Sequence, residues 1–526
     1  RGNHDRHHPR RLALPLILLI AVSGSPSPPA SAAADATSLD RIDRYVTDQM
    51  DGSRIPGVSL AIVEGDQIVH SRGFGESGST PITPQTPFAI GSLTKSFTAL
   101  SIMQLVEDGK ISLDDPVQRY IPWFTVADAD AAARITVRHL LNQTSGLSRA
   151  TGIRPLLEES TDTIEQYVRN LREAELNRPV GASYEYSNAN YVTLGLIVEM
   201  VSGQQYGDYV RQHVFEPLDM RDSYASHEEG RRQGMSDVHQ FWFGVPVKAE
   251  TPTLPAQGPT GFLVASAEDM ARYLSMYLNE GSYQGRQILS PAGIEAMLAP
   301  ATNTFDRTLL GTEFTARYGM GWFNGPFGDS PALWHLGELP TFNAWMVLLP
   351  ETNQAVVVLI NAGSQMPIAG ATEVFSRIPI GVTQILTGNE PPTGMSLTRF
   401  YVVFDLIVLA IVGIQTWALA RLLRRPATPP RRPRSLGEGW ALARQTVPLA
   451  WEVGLGSLIL LGYPALTGIS WRGSFTAAPD LVIVLLVVNG LWLVTGITRI
   501  VRFAGLVLSR GSARGGPAAT RGVEAT

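Results

Sequence analysis

Gly91-Ser92-Leu93-Thr94-Lys95 opens a stretch in which Phe97, Leu100, Met103, Leu105 and Val106 recur at helical spacing. A Ser-x-x-Lys pair at a helix start sets both side chains on one face, one turn apart. The serine then lies near unpaired backbone N–H groups and the positive end of the helix dipole. A hydroxyl is a weak nucleophile until a base takes its proton. Arginine stays protonated and cannot do this, whereas a lysine stripped of water can be neutral near pH 7. Composition sharpens the point: of 42 basic residues only Lys95, Lys110 and Lys248 are lysine. Ser92 and Lys95 are read as a nucleophile and its base. A capping serine followed by a surface lysine is the plainer reading of the same spacing.

Two further groups carry chemistry. Tyr184-Glu185-Tyr186-Ser187-Asn188 precedes a helical run, Leu194 to Val201. A Tyr-x-Asn triplet at such a junction can aim a phenol that relays protons and an amide that binds a substrate carbonyl. An aromatic turn with a helix cap is the competing reading. Trp334-His335-Leu336-Gly337-Glu338 lies on a predicted strand. A His-x-Gly on a sheet edge can lay backbone N–H groups beside an acyl group, with the imidazole as an added donor. A solvent-facing strand histidine is the alternative.

Around these groups the pattern predicts an α+β domain. A strand pair, Val58 to Val63 and Gln67 to Ser71, is turned by Glu64-Gly65-Asp66. The middle, Ser92 to about Leu278, is mostly helical pattern. Strands return at Gly319 to Phe323, Ala332 to Leu336, Phe342 to Leu349 and Ala355 to Ile360, and helix resumes from Ile368 to Leu386. Strands at both ends with helices between them imply one helix-covered antiparallel sheet plus a helical lobe, with a crevice between the two.

Composition excludes several classes of function. The 526 residues hold no cysteine, which removes disulfides, thiolate metal sites and a cysteine nucleophile. Nine histidines show no HExxH or similar spacing, so no metal and no cofactor is expected. The net charge of -5 gives no positive field for nucleic acid. The expected partners are a small-molecule or peptide-like substrate and membrane lipids, and the oligomeric state stays open.

Taken together and in this order, the three groups resemble the penicillin-recognising serine hydrolases: class C β-lactamases, D,D-peptidases, and related esterases and aminopeptidases. The similarity continues through Val58-Ser59-Leu60-Ala61-Ile62, Leu140 to Leu147, Gly261 to Met270 and Tyr318-Gly319-Met320-Gly321-Trp322. The resemblance implies acyl transfer. Ser92 would attack, Lys95 and Tyr186 would share the proton work, Asn188 would bind the substrate amide, and His335, Gly337 and Glu338 would form the substrate-binding strand. The oxyanion would rest on the N–H groups of Ser92 and Glu338. Two positions depart from the pattern. His335-Leu336-Gly337 stands where β-lactamases and many D,D-peptidases have Lys-Thr-Gly, which points to the peptidase and esterase branches. Gln143 stands where many relatives have histidine, in a loop read as structural. Peptidase, esterase and a slowly turning over sensor remain the three readings, with a peptidase or amidase for D-amino-acid or peptide-like amides in the lead.

The ends of the chain add a membrane. Residues 1–32 read as an export signal: a basic start, the apolar run Leu12 to Val22, and Ala30-Ser31-Ala32 as a small-x-small site. The hydrolase domain is placed at 35–386 and a Pro- and Gly-bearing linker at 387–399. Three apolar stretches follow within 400–505, at 400–420, 447–469 and 481–499, each about as long as a hydrocarbon core requires. The loop between the first two is arginine-rich, as is the tail 506–526, so both are expected on the cytoplasmic side with the domain outside. Domain order resembles membrane-bound peptidases that remove acyl-D-amino-acid caps from natural-product precursors.

Overall fold

The structure is a computed structural model that describes residues 36–299, 304–309, 312–366, 372–424, 450–467 and 470–512. The export-signal reading and the arginine-rich segments 425–449 and 513–526 lie outside them.

Helix α1 (Ala36–Ser53) leads into a hairpin of β1 (Gly57–Glu64) and β2 (Gln67–Ser77), followed by the short edge strand β3 (Thr80–Pro81). Gly65, at φ 59°, makes the turn between β1 and β2, as read from Glu64-Gly65-Asp66. The helical lobe contains α2 (Thr94–Glu107), α3 (Arg149–Leu157) and α4 (Asn188–Ser202). Strand β4 (Val238–Trp242) and helix α5 (Ala267–Leu278) lead back to the sheet. Five further antiparallel strands run β5 (Thr304–Leu309), β6 (Thr312–Gly319), β7 (Trp322–Phe327), β8 (Ser330–Leu339) and β9 (Phe342–Leu349). Strand β10 (Gln354–Ile360) then pairs with both β9 and β1, closing the order β5-β6-β7-β8-β9-β10-β1-β2-β3.

First and last strands of the domain thus meet at the centre of one sheet. All of β10, and all of β1 except Glu64, is buried, so both faces must be covered. Helix α5 packs on β1 and β10, and α6 (Glu373–Leu386) packs on β10 and on α1. The predicted α+β architecture is the observed one.

One predicted strand was a turn. Gly319 to Phe323 holds Met320 at φ 47° and Gly321 at φ 86°, the two left-handed residues of a type I′ hairpin joining β6 to β7. Gly321 also lets this turn approach α2, since a Cβ on it would lie 2.6 Å from the Ser96 Cα.

Beyond the domain, two helices are long and apolar enough to cross a membrane: α7 (Leu397–Arg424), and α10 (Pro479–Ser512) through Arg502. They contain the stretches 400–420 and 481–499. The third predicted span, 447–469, is described as a π-helical turn of 6 residues (Ala450–Leu455) and the 12-residue helix α8 (Gly456–Thr467), with Pro464 inside it. The flanking residues 447–449 and 468–469 lie outside the described residues. A seven-residue helix, α9 (Trp471–Ala477), joins α8 to α10.

Candidate active site

The Ser-x-x-Lys segment begins as the single 3-10 turn Gly91–Leu93 and continues as α2. The tighter turn places Ser92 half-buried at the mouth of a cleft and Lys95 fully buried behind it. Lys95 Nζ lies 3.0 Å from Ser92 Oγ and donates to the Thr260 carbonyl at 2.8 Å. Burial drives the Lys95 pKa well below its ordinary value. The rings of Tyr186 and Tyr191 lie 4.9 and 5.7 Å from Nζ, contacts that favour the charged amine. Such contacts are worth about 0.5–2 kcal/mol, less than the full desolvation of an ammonium, so burial sets the direction of the shift.

The Thr260 carbonyl could not be read from the sequence. Residues 88–89 pair with 264–265, and Ile90 N–H donates to Leu263 O at 3.2 Å. These contacts carry the short helix Gly258–Gly261 alongside α2, and the Gly261 to Met270 match belongs to this strap.

Tyr186 and Asn188 come from the turn before α4, whose first residue is Asn188. Gln143, at φ 58° and buried, fixes that turn: its Oε1 accepts from Ser187 N–H at 2.9 Å and from the Asn190 amide. Its carbonyl accepts from Glu185 N–H at 2.8 Å. The loop read as structural holds Tyr186 and Asn188 against the cleft.

Strand β8 closes the other side. Its pairing with β7 ends at Trp334, so the segment from His335 to Leu339 has an open edge, and the Ser92 turn packs there. Leu339 and Phe342 flank a two-residue turn and pair with each other. Backbone amides alternate along a strand, so Glu338 N–H points away from β9, toward Ser92. Gly337 makes this approach possible. A Cβ on it would lie 2.2 Å from the Ile90 carbonyl oxygen and 3.0 Å from Ser92 N. Gly91 meets it from the other side at φ 54°, where a Cβ would lie 2.9 Å from the Gly337 Cα.

His335 lines the cleft and is held within the protein. Its Nδ1 is 2.7 Å from the Leu336 carbonyl, which only accepts, so Nδ1 carries the proton. Nε2 lies 3.3 Å from the hydroxyl of Tyr318. Both ring nitrogens thus have a protein partner in the wall of the cleft.

These groups surround a cleft of about 640 Å³ that Ser92, Tyr186, Asn188, His335 and Glu338 all line. Among the described residues no cluster of metal-binding side chains occurs.

The sequence model of the Beta-lactamase family matches residues 42–375. The chain belongs to the Beta-lactamase family. Among relatives in this family, Protein flp of Staphylococcus aureus is 26% identical over 331 residues, 62% of this chain and 64% of that protein, so less than two thirds of its length is spanned. Unguisins hydrolase ungD' of Aspergillus campestris is 24% identical over 420 residues, 77% of each chain. The octameric penicillin-binding protein homologue of Pyrococcus abyssi superposes with a TM-score of 0.56 at 27% identity, covering 71% of this chain and 82% of that one. A D-amino acid amidase from Ochrobactrum anthropi SV3 gives 0.57 at 24% identity, over 67% and 99%, a likeness of fold alone.

Within that fold the contact between Gly337 and Gly91 makes a prediction. In Gly337→Ala the new methyl must push β8 off the Ser92 turn and widen the slot between the two amides. Loss of one such donor costs about a hundredfold or more in kcat. Steady-state kinetics on a D-amino-acid anilide check this; an unchanged kcat would place the oxyanion elsewhere.

Proposed function

We propose that the chain is a membrane-anchored serine hydrolase that cleaves peptide-like amides, D-amino-acid amides foremost, through an acyl-enzyme on Ser92. One observation carries the reading: a fully buried lysine, its pKa lowered by burial, 3.0 Å from a hydroxyl that opens on a cleft. Lys95 takes the Ser92 proton as Oγ bonds to the substrate carbonyl carbon. The oxyanion is held by Ser92 N–H and Glu338 N–H. Asn188 binds the substrate amide. Tyr186, with its ring beside Nζ, helps pass the proton to the departing amine as the C–N bond breaks. Water then attacks the ester, restoring Ser92 and releasing a carboxylic acid.

His335-Leu336-Gly337 in place of Lys-Thr-Gly favours amide or ester substrates over β-lactams. Two apolar helices and the arginine-rich segments flanking them support an anchor with the domain outside the cytoplasm.

Exposure of the protein to a panel of β-lactams and acyl-D-amino-acid amides, followed by peptide mass spectrometry, tests this. The expected result is an acyl adduct on the peptide containing Ser92, retained longest for the poorest substrate. An adduct mapping to any other residue would overturn the assignment.

A further inference from the structure

Helix α9, between the apolar helices α8 and α10, reaches the catalytic cleft. Ala477, its last residue, lines the cleft together with Gly152, Ile153 and Leu156 of α3. Four contacts fasten this helix and the start of α10 to the catalytic domain. Gln240 on β4 donates its amide to the carbonyls of Thr476 and Ala477, at 2.8 and 3.3 Å, satisfying the helix's C-terminal end. Trp242 meets Phe475 edge to face at 5.4 Å. Arg472 pairs with Glu159, two residues beyond α3. Phe243 N–H donates to Asp480, at the start of α10, at 3.2 Å. A tether needs none of these, because a linker alone would hold the domain near the membrane.

We infer that α9 is a substrate-recognition wall of the cleft, and that Gln240, Glu159 and Arg472 are positioning residues that hold it there. Ile153, Leu156 and Ala477 give this stretch of wall apolar side chains, between Arg149 of α3 and Gly152, which packs on the Asn188 turn. It therefore receives an apolar portion of the substrate beside the groups that hold the scissile bond. A substrate with only a small acyl group does not reach it. This rests on the hydrolase reading above, and extends it to a class: amphiphilic amides with an apolar extension beyond the reacting group.

Full-length protein in detergent separates the two claims. Ala477→Trp fills the wall, and Ala477→Leu does so more gently. The kcat/KM ratio of the anilide of N-hexanoyl-D-alanine, apolar on both sides of its scissile bond, to p-nitrophenyl acetate should fall tenfold or more for the Trp variant. The Leu variant should fall less, and the loss should enter through KM. Glu159→Arg, facing Arg472, should raise KM for the anilide several-fold, and adding Arg472→Glu should restore it. Labelling of Ser92 by a serine-directed phosphonate is read in parallel on each variant. If Ser92 labels as in the parent but the ratio does not move, the wall is wrong while the nucleophile stands. If the parent itself does not label at Ser92, the hydrolase reading falls. A KM rise in Glu159→Arg that the reversed pair does not restore overturns the Arg472–Glu159 contact as a positioning device.

Discussion

A Ser92→Ala chain is expected to fold as its parent does and to lose hydrolysis by about a million-fold, the scale seen when an acyl-transfer nucleophile is removed. The residual rate, about 10³–10⁴ over water, would come from binding and the oxyanion donors. The fold should survive because Ser92 sits half-buried in one 3-10 turn at a cleft mouth, so deleting its hydroxyl opens no sealed cavity. Lys95 keeps the Thr260 carbonyl at 2.8 Å as an acceptor. Both amides of the proposed oxyanion slot are backbone and stay in place. Substrate affinity should therefore change little while kcat collapses. Phosphonate labelling, anilide turnover and a thermal melt, run side by side, check all three parts. Labelling equal to that of the parent would sink the nucleophile assignment whatever the turnover did.

How much of this site was legible beforehand depends on which atoms do the work. Under the proposed mechanism Ser92, Lys95, Tyr186 and Asn188 act through side chains, and side chains leave a mark in the sequence. In the proposed mechanism the carbonyl of Thr260 acts through backbone that every residue possesses, so only the fold could place it, whereas the amide of Glu338 was implied by the resemblance alone. Glycines were the partial exception. Gly337 and Gly91 betray a close approach of two backbones, although the sequence could not say that each is the other's neighbour. His335 was legible as a cleft residue but not as one with both nitrogens engaged, because its partner Tyr318 comes from β6, two strands away. Gly319 to Phe323 misled because aromatic and apolar residues beside glycine have strand composition, whereas a two-residue hairpin is decided by φ at Met320 and Gly321. The stretch 447–469 has the composition of a span, and after it α9 folds back onto the catalytic domain through Gln240 and Glu159. Hydropathy counts apolar residues and does not register such polar contacts.

Lys95→Arg and Lys95→Met separate charge from shape at the proposed base. Both should lose acylation by about 10²- to 10⁴-fold, the usual contribution of a general base. Arginine cannot give up its proton, and methionine has no amine to accept one. Their stabilities should part in opposite directions. Lys95 is fully buried and desolvation alone accounts for its lowered pKa, so the folded state holds it neutral while the unfolded chain binds a proton up to lysine's ordinary value. Between the lowered and the ordinary pKa the unfolded state carries more protons, and stability must rise with pH across that window and fall as pH drops through it. Methionine, of similar length and without charge, removes that penalty. It should raise the melting temperature near neutral pH and flatten the pH dependence of unfolding. Arginine brings a permanent cation into the same slot and should lower the melting temperature. In the parent, kcat/KM should climb with pH along an acid limb set by Lys95 and level off well below lysine's ordinary pKa. A limb that persists unchanged in a Lys95→Met variant with measurable residual activity would assign the titration to another group. An arginine variant that acylates at the parental rate would remove Lys95 from the chemistry altogether.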